Sequence, residues 1–467
     1  MKLIYNVSDK PKFGQLIVFA IQQLLAIMAA TIAVPAIVGN GMTASAALFG
    51  AGVGTVVYQL FTKFRSPVFL GSSFAFIGPM CAAFAGAVSN VTLGYLGLIL
   101  GAVFAGLVYV VIALAIKFAG VKWISKIMPA SVIGPTVTLI GLSLAGAAIN
   151  DVFSYGPKET YGTSSYFIMS GNIWASLVCA LVTLAVIILC SVYGKKMAKL
   201  IPFIIGILSG YAVALIFTLI GIATKNTALQ VIDFAPFKAL VANGVTFSTF
   251  ISLPDFTFVE AFKGLKDFSW GYVATVAVAY VPVAFVVFAE HLADHKNLSS
   301  IIEKDLLEDP GLHRTLLGDG VGSMAGAIFG GCPNTTYGES VGCVAITGNA
   351  SVVTITVAAI MSVLVAFISP FVAFLDSIPG CVMGGVCVTL YGFIAVSGLK
   401  MIQKVNLEDN ANLFTVSAIL IPGIGGMSMA IGGANKIYIT SIACALVLGI
   451  LVNLMLNRKS SNENKAE

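Results

Sequence analysis

Long apolar stretches of about twenty residues recur along this chain, and that is the length an α-helix needs to cross a bilayer. The stretch LGYLGLILGAVFAGLVYVVIALAI at residues 93–116 contains no charged residue. Over the whole chain 58% of the residues are hydrophobic and 10% are charged, whereas soluble domains carry about a quarter charged residues. The sequence therefore predicts an all-α polytopic membrane protein.

Fourteen membrane spans are predicted, in two sets of seven. The first set lies near residues 14–36, 43–62, 68–89, 93–118, 127–150, 171–193 and 200–224. The second set lies near residues 270–291, 315–331, 333–350, 351–376, 380–397, 412–434 and 436–456. Because each set has an odd number of spans, the two halves should have opposite orientations, which is the inverted-repeat plan (7+7) of many secondary transporters.

Basic residues predict how the spans are oriented, because Lys and Arg stay preferentially on the cytoplasmic side of short loops. If the N-terminus is cytoplasmic, most of the 25 Lys and Arg residues fall on that side. The N-terminal segment MKLIYNVSDKPKFGQ has no short apolar region followed by a small-residue cleavage site. We expect a multi-pass protein of the cytoplasmic membrane with both termini in the cytoplasm. The net charge of +5 follows from this distribution and indicates no nucleic-acid partner.

Carboxylates within predicted spans are candidate functional residues, because a charged side chain at bilayer depth costs about 2.5–3.5 kcal/mol. Glu290 and Glu339 lie within spans, whereas Asp294, Asp319 and Asp376 lie nearer to span ends. Asp319 is interpreted as a helix-start or interfacial residue. An end cap is also an open interpretation for Glu290, since polar residues follow it directly.

Two predicted spans carry residues that disfavour a continuous helix. The stretches FLGSSFAFIGP at 69–79 and CPNTTYGESVGC at 332–343 combine Gly and Pro with Ser or Thr. Within a bilayer, irregular backbone is tolerated only where it is buried in protein or lines a cavity. Two such breaks in corresponding places of two halves predict a binding site there, with exposed amides and half-helix N-termini facing the ligand.

The motifs AEHLADH, KDLLEDPGLHRTLLGDG, PNTTYGESVGCVAITG and VMGGVCVTLYGFIAVSGL resemble the uracil permease branch of the nucleobase-ascorbate transporter family, also called nucleobase:cation symporter-2. The resemblance implies short antiparallel strands in spans three and ten and a dimer that packs through gate domains. It also implies a core domain at 1–118 and 270–376 and a gate domain at 119–224 and 377–467 that ends in a cytoplasmic tail. The long polar interruption between the two sets of spans, at 225–269, is predicted to be a connector outside the cytoplasm.

The resemblance also implies a substrate site. Glu290 and Glu339 would hydrogen-bond a nucleobase, and the backbone at Phe74 and Gly338 would meet its carbonyl groups. The full expected substrate-binding set is Gln23, Ala30, Ser72, Phe74, Glu290, Tyr337, Gly338, Glu339 and Tyr391. These roles suit uracil, which is flat and neutral and has two N–H donors and two carbonyl acceptors. Ordinary helix packing remains an open interpretation for Tyr391.

Two positions depart from the family pattern. The first span has Gln22-Gln23 where members usually have Gln-His, and Asp294 stands where a His is expected one turn after the first Glu. Glu290 and Asp294 are four residues apart, so on a continuous helix they share a face. Two close carboxylates in a poorly hydrated site should not both be ionised. The sequence therefore predicts proton symport with this pair as the proton site; the alternative is that Asp294 merely caps its helix or faces cytoplasmic water.

Other functions are weighed against this prediction. The substrate could be xanthine or another purine, and an anion carrier or channel could share the inverted-repeat fold. Two glutamates in the broken spans argue against an anion. An enzyme would need a nucleophile or metal cluster, but the eight cysteines and three histidines show no ligand spacing. We therefore expect no enzyme activity and no cofactor other than the coupled proton, with a nucleobase and the lipid bilayer as partners.

Overall fold

The computed structural model describes residues 3–88, 90–120, 127–162, 164–195, 197–242, 244–431 and 437–463. The first residues of the predicted N-terminal tail, the end of the predicted span at 412–434 and the last four residues of the C-terminal tail lie outside these ranges. The described chain is mostly helical, as the composition predicts.

The elements of the first half, in chain order, are α1 (Phe13–Val38), α2 (Ala44–Phe61), β1 (Leu70–Ser72), α3 (Ile77–Gly86), α4 (Val91–Ala119), α5 (Ala130–Ser143), α6 (Ala145–Val152), β2 (Lys158–Tyr161), β3 (Ser164–Phe167), α7 (Gly171–Tyr193), α8 (Met197–Leu200) and α9 (Pro202–Ala223). A 3₁₀ turn at Phe74–Phe76 leads from β1 into α3.

The elements of the second half are α10 (Ala235–Val241), α11 (Thr257–Gly264), α12 (Trp270–Ile302), α13 (Leu312–Gly330), β4 (Asn334–Thr336), α14 (Gly338–Thr347), α15 (Val352–Val365), α16 (Ser369–Asp376), α17 (Gly380–Ile402), α18 (Asn410–Ile424), β5 (Met429–Ile431), β6 (Ile437–Ile439) and α19 (Ser441–Glu463). The predicted connector at 225–269 thus contains two short helices, α10 and α11.

Capping residues set the ends of several long helices. The side chain of Thr43 accepts a hydrogen bond from the N–H of Ala46 at the start of α2, and Asn90 accepts one from Leu93 at the start of α4. These bonds satisfy backbone donors that have no partner within the helix. Gly120 ends α4 with a φ of 72°, a conformation that favours glycine.

Eight helical segments among the described residues are long and apolar enough to cross a membrane. They are Phe13–Val38, Ala44–Phe61, Val91–Phe118, Ala130–Val152, Gly171–Tyr193, Pro202–Ala223, Trp270–Ile302 and Gly380–Ile402. Shorter apolar helices occupy Phe74–Gly86, Val352–Val365, Asn410–Ile424 and Ser441–Leu456. The structure therefore has long apolar helices at eight of the predicted spans, and at the others it has shorter or less apolar helices or a strand followed by a helix.

The predicted breaks at 68–89 and 333–350 are strands that pair with each other. β1 and β4 are antiparallel, with Leu70 opposite Thr336 and Ser72 opposite Asn334. The N–H of Ser73 extends the ladder by donating to the carbonyl of Pro333 over 2.9 Å. All six strand residues are buried. The pairing provides hydrogen-bond partners for backbone groups that lipid cannot satisfy. The short strands expected in these two segments are thus confirmed.

Helices α2 and α13 hold the two strands between them by packing closely through glycine. A Cβ atom at Gly50 would lie 2.5 Å from the carbonyl oxygen of Gly326, so only glycine fits there. The amide of Asn334 donates to the carbonyl of Gly50 over 2.9 Å, and the hydroxyl of Thr55 accepts from the N–H of Leu70 over 2.9 Å. The small residues of α2 thereby fix the position of both strands.

Several elements differ from the prediction. The antiparallel strand pairs β2–β3 and β5–β6 were not predicted, and β5 and β6 lie in what were expected to be helical spans. An apolar run alone cannot distinguish a short strand from a buried helix, and glycines lie before β5 and between β5 and β6 in the sequence. Helix α12 continues to Ile302, well beyond the predicted end at residue 291, so Asp294 lies inside the helix.

Candidate functional site

A cavity of about 360 Å³ opens where the two paired strands meet the neighbouring helices. One side is formed by the 3₁₀ turn after β1, by β4 with the start of α14, and by α12; the other side is formed by α5, α9 and α17. Its lining residues are Phe74, Ala75, Val137, Ile140, Phe203, Glu290, Ala293, Asp294, Thr335, Tyr337, Gly338, Glu339, Leu390, Phe393, Ile394, Ser397 and Met401. This volume suits a small organic molecule.

Three carboxylates line the cavity from the same side. Glu290 and Asp294 are one turn apart on α12, and Glu339 lies in the first turn of α14. All three are half-buried. The interpretations in which Glu290 ends its helix and Asp294 caps it are wrong, because α12 continues past both residues. The arrangement presents several hydrogen-bond acceptors to one small volume.

Asp294 is connected to the strand that precedes α14. The hydroxyl of Thr336 in β4 donates to the Asp294 carboxylate over 2.8 Å. A Cβ atom at Gly338 would lie 3.9 Å from Oδ1 of Asp294, so the start of α14 runs close to this carboxylate. The contact joins the two parts of the chain that carry the acidic residues.

Two helix N-termini reach the cavity. Gly338 begins α14 directly after the strand β4, and Phe74 begins the 3₁₀ turn that leads into α3 after β1. Both residues line the cavity. The first N–H groups of a helix have no partner within the helix and carry a partial positive charge, so they suit carbonyl oxygens of a ligand. The cavity therefore offers donors next to the acidic acceptors.

Aromatic side chains form much of the remaining wall. The Tyr337 hydroxyl donates to the carbonyl of Ser72 over 2.7 Å, and its ring packs so closely on Gly71 that a Cβ atom there would collide with it. The rings of Phe203 and Phe393 meet edge to face, with centroids 6.1 Å apart, on the α9 and α17 side. These two phenylalanines were not predicted, because nothing in the sequence distinguishes them from the many other apolar residues of the spans.

The structure brings six of the predicted residues to the cavity wall, namely Phe74, Glu290, Asp294, Tyr337, Gly338 and Glu339. Four others are not among the lining residues. Gln23 donates over 2.6 Å to the hydroxyl of Ser340 in α14, and Ala30 packs in a buried cluster with Tyr337. Ser72 lies in β1, and the Tyr391 ring meets Phe74 edge to face at 5.9 Å. Their substrate roles remain predictions.

The interpretation of Asp319 as a helix-start or interfacial residue is wrong. Asp319 lies in the middle of α13 and is fully buried, and its carboxylate is 2.7 Å from Nδ1 of His291. The buried histidines of α12, His291 and His295, were also not predicted as a network. The two histidines are four residues apart, and each directly follows one of the two acids in the sequence. This spacing could have indicated that they share a second face of the helix.

Among the described residues, no group of three His, Cys, Asp or Glu side chains could hold a metal ion.

Three comparisons with known proteins bear on this site. A family model described as "Permease family" (Xan_ur_permease) matches residues 14–432. The chain is 37% identical over 469 residues to a uracil permease from Bacillus caldolyticus, and the match covers 100% of this chain and 98% of that protein. It is 36% identical to a uracil permease from Bacillus subtilis, covering 97% of this chain and 95% of that protein.

Solved structures share the fold at much lower identity. The transmembrane domain of a cyanobacterium bicarbonate transporter, BicA, matches with a TM-score of 0.60 and 15% identity, covering 96% of this chain and 99% of that one. The murine solute carrier 26 family member A9 anion transporter, in the inward-facing state, matches with a TM-score of 0.61 and 13% identity. That match covers 97% of this chain and 69% of the other.

Proposed function

The chain belongs to the permease family whose model it matches over residues 14–432, and from that premise we propose that it takes up uracil across the cytoplasmic membrane together with a proton. A permease moves its substrate without changing it chemically, so the chain is a transporter and not an enzyme. The uracil permeases of Bacillus caldolyticus and Bacillus subtilis, which are similar over nearly the whole chain, support uracil as the substrate.

The observation that carries this proposal is the pairing of carboxylates with helix N-termini around one cavity. Uracil has two ring N–H groups, which need acceptors, and two carbonyl groups, which need donors. Glu290 and Glu339 line the cavity as acceptors, and the backbone at Phe74 and Gly338 lies at the start of helical turns as donors. If all four of these polar groups form hydrogen bonds in the cavity, the free-energy cost of removing the neutral ring from water is small.

The walls of the cavity suit a flat ring. Phe74 and Tyr337 line it beside the carboxylates, and apolar residues of α5 and α17 close the other side. Aromatic and aliphatic side chains of this kind cover the faces of a planar ligand while a few polar groups fix its orientation. Gln23, Ala30, Ser72 and Tyr391 would support this pocket from positions behind its wall.

Proton coupling would reside in the Glu290 and Asp294 pair. Both carboxylates line the cavity from adjacent turns of α12. Two negative charges this close repel each other in a site with little water, so a proton shared by the pair is favoured. Proton binding from outside would then accompany loading of uracil, and proton release would accompany its unloading into the cytoplasm.

The proposed architecture has fourteen spans as a 7+7 inverted repeat with both termini cytoplasmic. The strand pair formed by the predicted third and tenth spans supports it, because the two breaks fall at corresponding places in the halves. The core domain would comprise 1–118 and 270–376, and the gate domain 119–224 and 377–467, joined by the connector at 225–269. The homodimer would pack through the gate domains.

Transport by purified protein in liposomes tests the proposal. We expect uptake of radiolabelled uracil that rises when the outside is made acidic and that excess unlabelled uracil abolishes. Stronger competition by xanthine than by uracil would replace uracil with a purine. Bicarbonate or sulfate transport without uracil uptake would instead favour an anion carrier, an activity suggested by the shared fold with the bicarbonate transporter BicA.

A further inference from the structure

A buried polar network lies behind the acidic side of the cavity. Nδ1 of His291 is 2.7 Å from the Asp319 carboxylate, and its Nε2 is 3.0 Å from the Thr315 hydroxyl. Both partners belong to α13, so His291 bonds α12 to α13. His291 and Asp319 are fully buried.

The second histidine extends the network to another helix. Nε2 of His295 is 2.7 Å from the hydroxyl of Tyr58 in α2, and that hydroxyl is 2.7 Å from Oγ of Ser66. His295 Nδ1 lies 2.8 Å from the backbone carbonyl of His291, and the two imidazole rings stack with centroids 4.0 Å apart. His295, Tyr58 and Ser66 are also fully buried.

The contacts define the protonation of His295. A carbonyl oxygen can only accept a hydrogen bond, so Nδ1 of His295 carries the hydrogen. Nε2 of the neutral ring is then an acceptor, and it lies 2.7 Å from the Tyr58 hydroxyl and 3.5 Å from the Ser66 hydroxyl. The shorter contact needs the hydroxyl of Tyr58, and a phenylalanine ring of the same shape would leave Nε2 with only the longer contact to Ser66.

The two histidines follow the two cavity acids directly in sequence. Each residue of an α-helix is rotated by about 100° from the one before it. Glu290 and Asp294 therefore face the cavity from one side of α12, while His291 and His295 face α13 and α2 from another. The hydrogen bonds of the two histidines therefore fix the rotation of α12 about its own axis, and that rotation determines whether the two acids face the cavity.

Packing alone does not account for this network. A buried polar group must be satisfied by hydrogen bonds, and apolar residues of similar volume often stabilise a buried position as well or better. Polar contacts differ from apolar ones in being directional, since they lose strength when a donor and an acceptor rotate out of line. The network is therefore suited to fixing the orientation of one helix relative to two others.

We propose that His291 and His295 are positioning residues for the substrate site, which by bonding α12 to Asp319 on α13 and to Tyr58 on α2 hold Glu290 and Asp294 toward the cavity. The choice of uracil as the ligand rests on the proposed function, whereas the positioning role rests only on the contacts described above. Neither histidine lines the cavity, so neither contacts the substrate.

A pair of tyrosine variants provides a matched test. Tyr58→Phe removes the hydroxyl that bonds His295. Tyr109→Phe removes a hydroxyl from a tyrosine that is also buried, whose ring lies 6.4 Å from that of His291 and whose hydroxyl has no partner among the described residues. We expect Tyr58→Phe to weaken uracil binding in calorimetry about tenfold, the equivalent of one hydrogen bond, and Tyr109→Phe to bind within about twofold of wild type.

Histidine variants add a rescue arm. His295→Leu removes both ring nitrogens, whereas His295→Asn keeps a donor near the carbonyl of His291. We expect His295→Leu to lose at least as much affinity as Tyr58→Phe and His295→Asn to recover part of it. Variants that melt at lower temperature yet bind uracil as wild type does would show that the network only stabilises the fold, and would overturn the proposal.

A second readout does not depend on the substrate. Ala293 lines the cavity between the two acids, so alkylation of the Ala293→Cys thiol reports how this face of α12 is oriented. The background carries Cys81→Ser, because Cys81 is exposed. We expect Tyr58→Phe to change the alkylation rate severalfold and Tyr109→Phe to leave it unchanged. Equal alkylation rates in all variants would overturn the proposal, whether or not the wild-type protein binds uracil. Failure of the wild-type protein to bind uracil would refute only the proposed function.

Discussion

The hydroxyl of Thr336 donates a 2.8 Å hydrogen bond to the carboxylate of Asp294 and so links the strand β4 to α12 at the wall of the cavity. This is the point where the second strand and the helix that carries two cavity acids come together. A change in the position of either element would therefore alter the position of the other, and the proposed site can be tested by substitutions on both sides of this bond.

Thr336→Val keeps the shape of the side chain and removes the donor. We expect uracil uptake to fall about fivefold to tenfold, which corresponds to the loss of one hydrogen bond to a half-buried carboxylate. Thr336→Ser keeps the hydroxyl and should retain most of the activity. Equal activity of Thr336→Val and wild type in liposomes would show that this bond is dispensable.

Glu339→Gln tests the proposed acceptor in the first turn of α14. The amide presents a donor where a ring N–H of uracil needs an acceptor, so we expect affinity to drop by about tenfold to a hundredfold while the protein remains folded. Isothermal calorimetry with uracil measures the change. Glu408→Gln, at an exposed position, is the matched control and should bind normally. Unchanged binding by Glu339→Gln would remove Glu339 from the proposed site.

Uptake against an imposed pH gradient tests the proton site. We expect wild-type uptake to rise when the outside is acidic, and both Glu290→Gln and Asp294→Asn to lose this response because each removes one carboxylate of the pair. If wild-type uptake ignores the gradient, proton coupling is wrong. A response lost only in Glu290→Gln would assign the proton to Glu290 and leave Asp294 without a role in coupling.

An ion-pair cluster outside the membrane spans predicts a pH dependence of stability. Asp309 lies 2.8 Å from Lys304 and 2.7 Å from Arg65, and the hydrogen bonds from Lys304 and then Arg65 lower the pKa of its carboxyl group. A lowered pKa means that the ionised group stabilises the folded state at neutral pH, and that this contribution is lost as the pH falls through the folded value.

Asp309→Asn should therefore be slightly less stable than wild type at pH 7, with a difference that shrinks in high salt and disappears in strong acid. The effect is small because the pair is well exposed, with 42% of the Asp309 side chain accessible. Thermal unfolding in detergent at several pH values measures it. Glu308→Gln, a neighbouring exposed residue, is the control, and an equal change in both variants would mean that the ion pairs contribute nothing specific.

Close packing of α2 on the strand pair predicts an intolerant glycine. A Cβ atom at Gly54 would collide with the amide of Asn334 and would lie 2.7 Å from the carbonyl oxygen of Gly322. We expect Gly54→Ala to destabilise the protein by about 1–3 kcal/mol. Gly14→Ala is the control, since nothing lies within 4 Å of its Cβ position. Normal melting of Gly54→Ala would show that α2 can move away from the strands.

The sequence predicts the centre of the site well because unusual residues mark it. Carboxylates are rare inside apolar spans, and so are clusters of Gly, Pro, Ser and Thr where a helix is expected. Either feature in a bilayer therefore indicates a functional or buried site. Glu290, Glu339 and the two breaks in the spans were predicted on that basis, whereas the short strands in those breaks were implied by the family resemblance. The structure brings both glutamates to one cavity and pairs the two breaks beside it.

The surroundings of the site could not be predicted in the same way. Which neighbours Asp319 and the two histidines would face depends on how three helices rotate against each other, and hydrophobic periodicity does not define this rotation in spans that are apolar on every side. Phe203 and Phe393 are two of 31 phenylalanines, so only the fold distinguishes them. The strands β5 and β6 were predicted as helix because their residues are as apolar as those of the spans.

Pairing of β1 with β4 has a consequence for the order in which the chain assembles. The two strands come from opposite halves, and each is only three residues long, so neither can satisfy its backbone groups until the other has been synthesised and inserted. Closing so large a loop is slow, and it occurs after the intervening helices have entered the bilayer. The cavity wall that the two strands support is therefore completed only after β4 has been inserted, and a chain that ends before β4 lacks it.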